Sequence, residues 1–79
     1  MLGERETGIF EIDEENWIAL LVFIAMETQW RHSNHGAVFG LDYTALSAVM
    51  HLQKIRDKPE VFRRVQIMER AALPLLNKR

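Results

Sequence analysis

No cysteine occurs in the 79 residues, which excludes a disulfide framework and with it the usual sign of secretion. A chain this short buries only roughly 60 to 65% of its unfolded surface and stands near the lower limit of independent stability. Without a disulfide or metal staple, helix packing or oligomerisation must supply the difference. An intracellular setting is expected. The sequence also has no apolar run long enough for a bilayer. Its longest, WIALLVFIAM over Trp17–Met26, falls well short of the roughly 20 residues a spanning helix needs, and no basic segment of the signal-peptide type precedes it.

Charge of one sign is missing too: the net charge is -1. Nucleic-acid affinity comes chiefly from phosphate neutralisation by a concentrated basic surface, so nucleic acid is not expected as the main ligand. The near-zero total hides an asymmetry. Residues 1–39 carry two basic and seven acidic side chains, and residues 40–79 eight basic and four acidic, giving halves of -5 and +4. Such polarity can steer head-to-tail association, although an ordinary solvated surface is the commoner outcome.

Groupings that carry chemistry are scarce. His32 and His35, with His51, Asp42 and Glu27 as further candidates, lack the fixed geometry and outer support of a metal site. Ser33 and Ser47 have no recognisable base and orienting acid. No phosphate-cradling glycine loop is present. The sequence therefore predicts no enzyme, cofactor or metal. A helix-turn-helix reading of the second half places Arg63, Arg64 and Arg70 on the last helix. Its leading residues, Lys58, Pro59, Glu60 and Val61, are unsuited to base readout.

What is present is helix. The expected fold is all-α: a flexible N-terminal tail over residues 1–12, then one three-helix domain over 13–77 with helices near 14–31, 43–55 and 59–73. Asp13, Asp42 and Asp57 are the expected N-caps, with Ile12 placed to staple the first helix and Glu60 completing a capping box after Asp57. Residues His32–Gly40 form a loop on this reading. Pro74, lacking an N–H, is expected to end or kink the last helix near Leu73.

The first helix holds more apolar surface than so small a domain can enclose. Trp17, Leu20, Leu21, Ile24 and Thr28 share one face, and Ala19, Phe23, Met26 and Trp30 form a second stripe. Two stripes call for two covering surfaces, one of them supplied by a protein partner or a second copy. Trp17, Leu21, Phe23, Ile24, Met26, Trp30, Arg31, Asp42 and Tyr43 are the candidate partner-binding residues. Trp30 is expected at the end of helix one beside Tyr43, with Arg31 meeting Asp42 or a helix C-terminal carbonyl. On this reading Phe23→Asp or Trp30→Asp weakens a partner complex more than it lowers helix content.

The chain carries Glu15-Asn16-Trp17, Thr28-Gln29-Trp30-Arg31, Gly40-Leu41-Asp42-Tyr43, Val49-Met50, Met68-Glu69 and Ala71-Ala72-Leu73. Over about residues 11–73 it resembles a family of small phage and prophage proteins encoded among tail-morphogenesis genes, near the major tail and tape-measure proteins. It departs from that pattern with Glu14 and Ile18 in place of prolines, a longer loop, and Pro74. The resemblance implies a chaperone-like tail-assembly factor that binds the tape-measure protein or other tail proteins in the cytoplasm of the bacterial host. A structural tail component of the virion and a small DNA-binding regulator are the alternatives.

Overall fold

Three aspartates start three helices in the computed structural model, which describes residues 13–78. Asp13 Oδ1 accepts the Asn16 N–H at 2.7 Å and opens α1, Glu14–Ala25, whose first turn adds Glu14 and Glu15 at the positive end of the helix dipole. Asp42 accepts the N–H groups of Thr44 and Ala45 at 3.0 and 3.1 Å and opens α2, Tyr43–Leu52. Asp57 accepts the Glu60 N–H at 3.3 Å and opens α3, Lys58–Leu76. The reciprocal half of the expected capping box is replaced, because the Glu60 carboxylate is engaged by Arg63 and Arg64. The expected tail and the Ile12 staple lie outside the described residues.

The all-α expectation is overturned by a two-stranded antiparallel hairpin, β1 (Trp30–His32) and β2 (Val38–Leu41), between α1 and α2. Helix α1 therefore stops at Ala25 and does not run on to Arg31. Three successive backbone bonds, Met26 N–H to Phe23, Glu27 to Ile24 and Gln29 to Met26, tighten the chain into a turn that leads it out of the helix. Trp30 falls four residues after Met26 and so mimics a continuing helical stripe, yet Trp30, Val38 and Phe39 are strand formers around a turn. Ser33–Gly36 closes that turn with a 3.0 Å bond from Gly36 N–H to the Ser33 carbonyl. Gly36 takes φ +85°, a region open to glycine. Trp30 pairs with Leu41, Arg31 with Gly40 and His32 with Val38, which leaves Phe39 as the extra residue of a bulge.

Two more boundaries moved. Helix α2 ends three residues early in a Schellman arrangement, with Lys54 at φ 57°, its N–H on His51 and the Ile55 N–H on Met50, both at 3.0 Å. Helix α3 runs through Pro74 to Leu76. Pro74 and Arg70 are both exposed, so the Arg70 carbonyl that proline leaves unpaired is not stranded away from water. The last turn is also anchored from outside: Asn77 Oδ1 accepts the Val38 N–H, and Asn77 Nδ2 donates to the Val38 carbonyl, each at 2.8 Å.

Every element except β1 contributes to the core: Ala19, Val22 and Met26 from α1, Leu41 from β2, Leu46 and Met50 from α2, and Val61 and Val65 from α3. Arg64 reaches from α3 to Asp13 and Asn16 at the start of α1, at 3.0 and 2.7 Å. At the other end Trp30, shortly after α1, and Leu76 line one small hollow. The two helices thus run in the same sense, side by side.

Candidate interaction surface

Helix α1 turns one stripe inward and leaves the other bare. Ala19, Val22 and Met26 are wholly buried, while Trp17, Leu21 and Ile24, at i, i+4 and i+7, remain 50%, 45% and 53% exposed. Spacing alone did not say which stripe was core. The reason lies in the neighbours: α2 and α3 both cover the Val22 side, and no element among the described residues covers Trp17 and Ile24. Beside this stripe Ile18 and Leu21 line a groove of about 650 Å³, whose other walls include Glu14, Glu15, Ile55 and Val61.

The remaining candidates divide between fold and surface. Met26 is closed to solvent. Phe23 and Trp30 meet edge to face, ring centroids 5.9 Å apart at 87°, and both are half-buried against the core. An aspartate at either would therefore disturb the fold itself. Arg31 lies over the Phe39 ring at 4.7 Å and does not meet Asp42, whose carboxylate caps α2. Tyr43 packs edge to face on Phe62, centroids 5.0 Å apart, in place of the expected Trp30 contact. Outside the candidate set, Phe39, Leu52, Ile67, Leu75 and Leu76 are also exposed; the four-residue spacing of Ile67, Ala71 and Leu75 is the signal that could have marked two of them.

The polar centre of the molecule is Glu69, which is 7% exposed. Its Oε2 accepts the Leu41 N–H at 2.8 Å and its Oε1 accepts the Tyr43 hydroxyl at 2.6 Å. Gly40 gives this carboxylate room, since a Cβ there would stand 3.0 Å from Oε2. Gly40-Leu41-Asp42-Tyr43 is thus one fastening: space, an amide donor with a core side chain, a helix cap, and a hydroxyl donor. Burial and the adjoining Glu69 carboxylate hold the Tyr43 hydroxyl above the ordinary phenol value. That disfavours a tyrosinate nucleophile, and both carboxylate oxygens are occupied by donors. The arrangement braces the hairpin against α3.

Of the other candidates, His32 lies on β1, His35 in the turn and His51 on α2, and no group of three metal-ligating side chains gathers among the described residues. Arg64, proposed on the face of a recognition helix, is turned toward α1, and Arg63 pairs with Glu60 at 2.7 Å. No helix of the described residues is long and apolar enough to cross a membrane.

The described residues thus form a small helical domain braced by a hairpin, with a bare apolar stripe on its first helix. Residues 4–76 match the family described as phage related hypothetical protein (DUF1799), and the chain belongs to that family. It is a phage-related protein. No curated protein and no solved structure matches the chain significantly.

Proposed function

We propose that this protein is a non-catalytic, chaperone-like factor of phage tail assembly, which holds helical tail proteins such as the tape-measure protein through α1. The observation that carries the reading is the Trp17, Leu21, Ile24 stripe, about half exposed along its whole length. An apolar helix face of this spacing suits an amphipathic partner helix, and a long helical tail protein awaiting assembly offers such helices. The tail context itself comes from the resemblance of the Thr28–Arg31 and Gly40–Tyr43 motifs to proteins encoded among tail genes. The braced Glu69 centre supports a binding role over catalysis, since its groups are spent on holding the hairpin.

Co-expression with the tape-measure protein encoded nearby tests the reading. The wild-type chain is expected to co-purify with it, and Leu21→Asp with Ile24→Asp is expected to abolish the complex while circular dichroism retains the helix signal. Both positions are exposed, so their substitution spares the core. Absence of any complex from the wild-type pair overturns the proposal. Recovery of the protein in purified mature tails would assign it to the virion structure instead.

A further inference from the structure

Two helices of this molecule expose apolar stripes of opposite charge. On α1 the stripe of Trp17, Leu21 and Ile24 has Glu14 one turn before it and Glu27 in the turn that follows the helix, and residues 14–27 include no lysine or arginine. On α3, Ile67, Ala71 and Leu75 recur every four residues and are all exposed. Arg63 stands one turn before Ile67, Arg70 beside Ala71, and Lys78 just past the end of α3, three residues after Leu75. Glu60 is the one acid on that side, and its charge is already met by Arg63 and Arg64.

The stripes match in length as well as in sign. At 1.5 Å per residue, Trp17 to Ile24 on α1 spans about 10 Å and Ile67 to Leu75 on α3 about 12 Å. Because acids flank one stripe and the other carries Arg70 and Lys78 toward its C-terminal end, beyond Arg63 whose charge is shared with Glu60, laying them together sets opposite charges side by side and buries Trp17, Leu21 and Ile24 against Ile67, Ala71 and Leu75. A symmetric contact does worse. Pairing α1 with α1 sets Glu14 and Glu27 against like charge, and pairing α3 with α3 does the same to Arg70 and Lys78.

We infer that a second copy of this chain docks its α3 stripe on the α1 stripe of the first, head to tail. The inference rests on reading α1 as the docking face, and it names the occupant of that face when no other tail protein is present. Since each copy retains one unused stripe, the contact is heterologous and propagates into a string or closes into a ring. A tail protein that takes α1 would then compete with the neighbouring copy.

Sedimentation velocity of the isolated full chain tests this independently of any tail protein. The wild type is expected to gain mass with concentration beyond a dimer, whereas Leu21→Asp and Ile67→Asp are each expected to remain monomeric with unchanged helix content. An equimolar mixture of these two variants retains one good α1 and one good α3, so it should yield a one-to-one heterodimer and nothing larger. Charge reversal gives a second route: Glu14→Arg with Glu27→Arg, or Arg70→Glu with Lys78→Glu, should each weaken association at least about tenfold, and mixing the two should restore it. A wild type that stays monomeric at millimolar concentration overturns the inference, as does an Ile67→Asp variant that still dimerises with itself or a variant mixture that remains monomeric. Failure here leaves co-purification with the tape-measure protein to be decided by its own assay.

Discussion

Glu69 concentrates the polar specificity of the fold in one side chain, because a buried carboxylate needs donors for its oxygens or suffers a heavy desolvation cost. Leu41 and Tyr43 supply them, and Gly40 clears the space. The single tyrosine of the chain makes this contact measurable, since an absorbance titration of tyrosinate reads Tyr43 alone. Its midpoint is expected above the ordinary value of about 10, and Glu69→Gln should bring it down toward that value. The raised folded value means that Tyr43 contributes stability fully present below pH 10 and lost as pH rises through its folded midpoint. An unshifted midpoint in the wild type would mean that burial and the carboxylate do not act on this hydroxyl.

Among the elements, the hairpin and the end of α2 show how short segments are set by backbone chemistry. The Schellman turn after α2 forces Lys54 into the left-handed region at φ 57°, where a Cβ is crowded. Lys54→Gly is therefore expected to stabilise the protein by about 0.5–1 kcal/mol, read as a higher denaturation midpoint at unchanged slope. A loss of stability would show that the lysine side chain matters more than its backbone angle. The hairpin has only three and four residues in its strands, and a two-stranded ribbon is marginal by itself. Glu69 of α3 and the C-cap residue Asn77 complete it by serving the outer edge of β2 at Leu41 and Val38, and so α3 is held in register with it as well.

For the whole molecule, eight buried apolar side chains form the core, while nine large ones are exposed among the described residues. Such a balance leaves little margin and favours association. Charge adds a modest tertiary tie, as Arg64 joins Asp13 of α1 to Glu60 of α3. Hydrogen bonds from Arg63 and then Arg64 hold the Glu60 carboxyl down to about 2. The depressed value means that this stabilisation is present above the ordinary carboxylate range, near 4.5, and fades as pH falls toward about 2. Glu60→Gln should flatten that part of the acid denaturation profile, and 1 M salt should narrow the difference between the two proteins because Arg63 is exposed and Glu60 and Arg64 are only partly covered. Identical acid profiles would show that the network adds nothing to stability.

Local signals were enough to specify the three helix starts, because Asp13, Asp42 and Asp57 act on amides two or three residues away. Neighbouring residues also announced the apolar excess of α1 and, through the Thr28–Arg31 and Gly40–Tyr43 motifs, the phage relationship. Three features depended on residues far apart in the chain. The Trp30–Leu41 hairpin is stabilised by side chains from residues 69 and 77, so its strands carry too little pattern of their own. The inward face of α1 was chosen by α2 and α3, since both stripes are apolar and only their neighbours distinguish them. Nothing near Glu69 in sequence marked it as buried, because a carboxylate's partners across the chain, here Gly40, Leu41 and Tyr43, leave no trace in its local spacing.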